Sequence, residues 1–423
     1  MCQCAEDCIN HIHGACETDI INMTSDGGWK KLLRLIEKDK EIFIQKLIVP
    51  ISPSGPFLQR ISTLFDIVMY VGYREPTFQI PDGNTIREVV IMRAVGLKAF
   101  IAGTNTQLET LNIQQCTLDR LPPTLPKMIR LKDLSITICM LSGLRLDMLV
   151  ENQYLTSVDL SYNRIRQIFP LTARTGKTIN IERLDLTGNQ LEHLDMSVFA
   201  SMSKLGALFI LENPLTHIGV TEPIILPQLG TILLYDNQLV SIDLRNVTMP
   251  QLTMFAISSN AMSQMPLLPK TLPKLDYLSF DQNQLTRVDL SYFRTYRQLK
   301  NIYITNNQIS TVYTSSPIKL PVTLLRFDGN TITSLNLTGC DMPNITTLNL
   351  ANNRLTVVPP VFESFPKVRL TMNANPLTCN TLLPYKDKFE GGRFQKDIKP
   401  ISWVCDTTSS FLIAGDDKVC CDS

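Results

Sequence analysis

The chain has 423 residues, 44% of them apolar and 19% charged, with a formal net charge of +1. That balance supplies apolar surface for a buried core and gives no bulk attraction to nucleic acid or an anionic membrane. No apolar run approaches the roughly 18 residues of a spanning helix, since EIFIQKLIVP and ISTLFDIVMYVGY are interrupted or too short.

The N-terminus, MCQCAEDC, has neither a basic start nor an apolar middle and does not read as a signal peptide. Three readings stay open there: a mature form carrying an added Met, an incomplete gene model, or an intracellular protein. Residues 1–84 show no repeat. Cys2, Cys4, Cys8 and Cys16 crowd the start, and GWKKLLRLIEKDKE reads as a short amphipathic helix with Leu32, Leu33, Leu35 and Ile36 apolar. The run SPSGP, Ser52 to Pro56, reads as a turn or loop. For the cysteines, disulfides and a disordered or artefactual start stand beside a zinc site. Cys4, Cys8, His11, His13 and Cys16 are plausible zinc ligands, but their spacing matches no paired C-x-x-C arrangement.

Residues 85–378 carry a repeat. YLTSVDLSYNRIRQI sets Leu155, Val158, Leu160, Asn163 and Ile165 in the pattern L-x-x-L-x-L-x-x-N-x-L, and the pattern recurs in NIERLDLTGNQLEHL, KLDYLSFDQNQLTRV, QLKNIYITNNQISTV and NITTLNLANNRLTVV. Aligned on Asn163, Asn189, Asn213, Asn237, Asn260, Asn283, Asn307, Asn330, Asn353 and Asn375, the spacings run from 22 to 26. Earlier copies place Cys139, Cys116 and Ala94 at the same position, for about 13 units. This consensus and period identify an α/β leucine-rich-repeat solenoid, a horseshoe with a parallel concave sheet and capped ends.

Each element of the pattern has a physical reason. The apolar residues flanking the strand centre alternate inward at period two and fill the core. The Asn turns the chain off the strand, and its amide can satisfy backbone groups the bend leaves unpaired. Cys can take that place as a small, weakly polar buried group, so Cys116 and Cys139 are expected to be reduced ladder residues. The return segments VFASMSKL, IILPQL, VTMPQL, TLPKL, FRTYRQL and FESFPKV are rich in Pro, which favours short helical turns and extended pieces. The insert LTARTGKTIN, Leu171 to Asn180, should bulge as a loop. With an array of this kind following, residues 1–84 read most simply as the cap that covers its open end.

The last repeat runs into NPLTCN and then WVCDTTS. This resembles the disulfide caps of extracellular leucine-rich-repeat proteins, and the resemblance implies that residues 379–423 form a C-terminal cap with Cys379 paired to Cys405. Cys420 and Cys421 are adjacent near the chain end, so one can bond within the cap while the other links a second chain; the total of 11 cysteines is odd. Cys340 has no evident partner. Sequons at Asn22, Asn246, Asn336 and Asn344, together with terminal cysteines, favour an oxidising, secreted setting.

The runs FIAGTNTQLETLNIQQCTLDRLPPTLPKM and LRLDMLVENQYLTSVDLSYNRIRQI, with the Cys-bearing end, resemble secreted mosquito leucine-rich-repeat immune proteins. Members usually end in a coiled coil. This chain has no heptads after Cys405 and is similar to a coil-less branch. The resemblance implies haemolymph innate immunity, through recognition of a pathogen surface or binding of a complement-like thioester protein. Another leucine-rich-repeat protein, or a second chain linked by disulfide, is a further partner on this reading.

The non-Leu strand positions should face the concave side. Their central column reads Asn112, Ser135, Asp159, Asp185, Phe209, Leu233, Ala256, Ser279, Tyr303, Arg326 and Asn349, and the column two residues on adds Leu211 and Tyr235. Phe209, Leu211, Leu233 and Tyr235 are expected to form one apolar patch, with Asp159 and Asp185 on one side and Tyr277, Tyr303 and Arg326 on the other. Aromatic anchors with a polar rim are how interfaces concentrate binding energy. No G-x-S-x-G, H-E-x-x-H or Walker sequence appears, and the histidines are scattered, so neither an enzyme nor a cofactor or metal site is expected. The alternatives to a secreted binder are an intracellular interaction scaffold with all cysteines reduced and a shed receptor ectodomain.

Overall fold

Period-two burial shapes most of the strands. In the strand Tyr277–Ser279 and the segment that follows it, Leu278 and Phe280 are fully buried and Tyr277 and Asp281 on either side are half-buried, while the small Ser279 between them is buried as well. The computed structural model describes residues 10–12, 15–22, 27–28, 30, 41–48, 55–63, 66–172 and 176–423. It divides into two compact units. One holds the chain to Glu192 with Met196–Pro214; the other holds His193–Asp195 with Leu215–Ser423.

In the first unit, short strands stack in parallel and in register. Ala15–Asn22, Glu41–Ile48, Ile67–Val71, Glu88–Met92 and Thr110–Gln114 are followed by Asp133–Thr137, Ser157–Asp159, Arg183–Asp185 and Ala207–Phe209. The second unit repeats the plan. Thr231–Leu233, Met254–Ala256, Tyr277–Ser279, Asn301–Tyr303, Leu324–Arg326, Thr347–Asn349, Arg369–Thr371 and Phe394–Gln395 form its ladder. Its end is closed by antiparallel strands Ile398–Pro400, Asp417–Cys421 and Ser409–Leu412. Return segments are tight turns such as Leu146–Leu149, Met196–Phe199 and Leu290–Phe293.

The asparagine ladder works as the chemistry of the amide demands. Asn283 accepts from Met262 N–H at 3.0 Å and donates to the carbonyls of Ile257, Phe280 and Asp281. Asn163 accepts from Leu141 N–H and donates to Ile136, Leu160 and Ser161 oxygens in the same way. One buried amide thus closes backbone groups of two adjacent repeats, which a side chain without both donor and acceptor cannot do.

Three expectations are corrected. Cys116 and Cys139 are joined by a disulfide, because ladder positions in consecutive repeats bring their Cα atoms to 4.5 Å, inside the range a disulfide spans. The cap pairs Cys379 with Cys421 and Cys405 with Cys420, in place of Cys379 with Cys405. Neighbours on a strand point to opposite faces, so Cys420 and Cys421 reach different partners; both are engaged within the chain and neither links a second one. Finally, the ladder crosses residue 84. Strands Ile67–Val71 and Glu88–Met92 pair in register, with Tyr70 in a core position and Tyr73 where later repeats carry Asn. Ala15–Asn22 and Glu41–Ile48 extend the same parallel pairing further towards the N-terminus.

The helix expected from Gly28 lies largely outside the described residues, as do the Cys2, Cys4 and Cys8 readings, and part of the Leu171–Asn180 insert. The run Ser52–Pro56 ends in a described helix, Gly55–Ile61. Among the described residues no helix is long and apolar enough to cross a membrane.

Candidate binding face

The outward positions of the parallel strands carry the residues singled out from the sequence; all are half-buried except Ala256 and Ser279, which are buried. In the first unit Asp159 and Asp185 are register partners. They do not form a carboxylate pair: Asp159 accepts from Ser161 N–H at 2.9 Å and Asp185 from Thr187 N–H at 3.0 Å. Asp185 also holds Arg183 at 3.1 Å, and the Arg183 guanidinium lies 4.1 Å above the Phe209 ring. Phe209 is therefore capped by a cation rather than left bare, a feature the apolar reading of its column missed. Leu211 stands two residues further, beside Glu212, whose carboxylate raises the Tyr162 phenol above its ordinary value.

In the second unit Leu233 and Tyr235 occupy successive outward positions of one repeat. The structure brings Tyr277 and Tyr303 together, ring centroids 5.0 Å apart and tilted by 36°. Arg326 follows Tyr303 in register but does not face a ligand freely: it grips Asp328 with two hydrogen bonds of 2.9 and 2.8 Å, which raise its pKa further. Sequence reasoning missed Asp281. It accepts from Thr305 N–H at 2.6 Å and from the Ser279 hydroxyl at 3.1 Å. Its position is in the same column as Leu211 and Tyr235, so reading that column through every repeat would have found it. Burial raises the phenols of Tyr235 and Tyr277, and the Asp281 charge raises both further.

Two cavities lie away from the strand face. One, of about 450 Å³, is lined by Asp119, Arg120, Gly143, Arg145 and Phe169 among others. The other, of about 500 Å³, is lined by Arg294, Arg297, Lys319 and Asn344 among others. Neither includes a residue of the expected patch. Among the described residues no group of His, Cys, Asp or Glu is placed to hold a metal ion. Asn246, Asn336 and Asn344 are exposed, and Asn336 accepts from Thr338 N–H of its own sequon at 2.9 Å; Asn22 ends the strand Ala15–Asn22.

In-register parallel strands, an alternating core and a buried asparagine ladder define a leucine-rich-repeat solenoid, a scaffold for protein interaction. A family model described as Leucine Rich Repeat matches residues 344–365. No curated protein matches the sequence. Among solved structures the chain is similar to the APL1 leucine-rich repeat domain, with 16% identity and a TM-score of 0.56, covering 96% of this chain and 97% of that one. It is also similar to a leucine-rich-repeat protein of Leptospira interrogans, with 15% identity and a TM-score of 0.53, covering 86% and 91%. At these identities the likeness is one of fold.

Proposed function

We propose that the chain is a secreted leucine-rich-repeat protein of insect innate immunity that binds a partner through the outward face of its parallel strands. The partner is a complement-like thioester protein or a pathogen surface. The observation that carries the reading is the aromatic content of that face. Tyr235, Tyr277 and Tyr303 of the second unit stand half-buried at positions where a solvated sheet needs only short polar side chains, and Phe209 holds such a position in the first unit. The immune assignment is supported by the non-consensus words between repeats that resemble the mosquito proteins. Secretion is supported by three disulfides among the described residues, which belong to an oxidising compartment, and by exposed sequons.

The test is direct capture. The full chain, recovered from insect-cell medium, is offered a purified thioester protein and fixed bacteria, beside the double variant Phe209→Ala with Tyr235→Ala. Capture by the parent chain and its loss in the folded variant are expected. Equal capture by the variant would remove the face from the reading. Recovery only from inside cells, unglycosylated and with most thiols alkylated, would remove secretion.

A further inference from the structure

We infer that Asp281, flanked by Tyr235, Tyr277 and Tyr303 on the strand face of the second unit, receives one basic side chain, a lysine or an arginine, of the protein partner. This rests on the strand face being the partner surface, as proposed above, and adds the chemistry of what docks there.

Strand register places the parts. Tyr277 and Asp281 belong to one repeat and Tyr303 to the next, beside Ser279. Tyr235 occupies the position of Asp281 two repeats earlier, with only Ser258 between them. At about 4.8 Å per strand, a tyrosine side chain reaches over so short a residue towards Asp281. The floor is made of small groups: Ala256 is fully buried and Ser279 is 2% exposed although both occupy outward positions, and Ser258 and Ser279 hydroxyls bond each other at 2.7 Å. Larger residues stand beside that floor in register, Leu233 next to Ala256 and Tyr303 next to Ser279.

Charge sets the sign of the ligand. Asp281 has two neutral hydrogen-bond donors, Thr305 N–H and Ser279 Oγ, and among the described residues no cation pairs with it. The nearby Arg326 acts on Asp281 only through space, its hydrogen bonds being spent on Asp328. A half-buried carboxylate in no direct ion pair is a poor neighbour for an anion and a strong acceptor for a charged donor. Lysine and arginine carry donors only, matching a carboxylate and phenol oxygens that can accept. The tilted Tyr277 and Tyr303 rings add π faces that favour a cation over an isosteric neutral group. An acidic side chain would meet Asp281 with like charge.

The full chain is titrated with capped Gly-Arg-Gly, Gly-Lys-Gly and Gly-Glu-Gly peptides, read by NMR shifts of labelled tyrosine rings. Saturable shifts of Tyr277 and Tyr303 with the basic peptides and none with the acidic one are expected. Asp281→Asn, which keeps an oxygen for Thr305 N–H, should weaken binding by about tenfold or more, as should Tyr303→Ala. Unchanged circular dichroism and melting separate lost binding from lost folding. Equal affinity of Asp281→Asn, equal binding of the acidic peptide, or no saturable shift in the parent chain would each overturn the inference. If the peptides fail while Phe209→Ala with Tyr235→Ala still abolishes partner capture, the cation site falls and the binding face stands; if capture is also indifferent, the face falls with it.

Discussion

Cys116 and Cys139 occupy the same position of consecutive repeats, 4.5 Å apart at Cα, and a disulfide joins them where later repeats stack asparagines. The Cys116 N–H points at Cys139 Sγ at 3.2 Å, a contact different from the ladder bond, in which the N–H two residues after one ladder position donates to the next asparagine. The bridge closes a loop of 23 residues, a constraint on the unfolded chain of about 3 kcal/mol. Replacing both by Ala should lower unfolding free energy by about 2–4 kcal/mol in urea, with intact mass confirming that the parent chain lacks two thiol hydrogens there. An unchanged midpoint would mean the two are reduced in solution.

Asparagine is the cheaper ladder residue to test in the second unit. Asn283→Ala leaves Met262 N–H without its acceptor in a buried bend, while the carbonyls of Ile257 and Phe280 keep the amides of Asn260 and Asn307. Unpaired buried backbone groups cost about 1–3 kcal/mol each before relaxation. A loss of about 1–3 kcal/mol is expected, with faster hydrogen exchange at Met262 and its neighbours. A loss below about 0.5 kcal/mol would show that water replaces the amide.

The ladder and the alternating core were legible because each is written locally: L-x-L at period two, then Asn. What escaped depends on relations across repeats or on redox state. A buried Cys in a ladder looks the same in sequence whether reduced or bridged. The turn at 66–84 was hidden by Tyr70 and Tyr73, which fill the Leu and Asn positions; the Tyr73 hydroxyl donates to Thr77 O at 2.6 Å, a local bond unlike those of the ladder amide. The cap pairing follows from an antiparallel strand, Asp417–Cys421, whose alternation separates two adjacent cysteines. On the strand face, Asp159 and Asp185 share register, as do Tyr303 and Arg326. The intrachain contacts of Asp185 with Arg183 and of Arg326 with Asp328 were not legible, because those partners sit in flanking columns read only in part.

The residue just before each ladder position adopts left-handed backbone. Gly188 does so at φ +65° and Ile138 at φ +53°. A Cβ at 188 would come within 2.4 Å of the Tyr162 ring. Gly188→Ala should therefore destabilise by about 1–3 kcal/mol, from the backbone and from displacing that ring. Ile138→Gly relieves the same conformation in a β-branched residue and should be neutral or stabilising by up to about 1 kcal/mol, even though Gly loosens the unfolded chain. Thermal or urea unfolding of the two variants checks the opposite signs. The same sign for both would refute a backbone origin.

Cys340 is the free cysteine among the described residues, half-buried with its Sγ 2.9 Å from the Thr314 hydroxyl. Burial pushes its thiol pKa up, the Asp289 charge pushes the same way, and the Thr314 contact opposes them without reversing the sign. The folded chain therefore holds the thiol proton more tightly than the unfolded chain. The contribution to stability is complete below the unfolded pKa and is lost as pH rises through the folded one. Reactivity follows the same sign, since thiolate is the nucleophile. At pH 8, iodoacetamide should label Cys340 more slowly in the native chain than in urea. The native rate should also keep climbing with pH after the unfolded rate has levelled. Peptides carrying Cys116, Cys139, Cys379, Cys405, Cys420 and Cys421 should stay unlabelled until reductant is added. Equal native and unfolded rates at Cys340 across pH 7–10 would show that its thiol is open to water and that Thr314 and the packed return segment do not shield it.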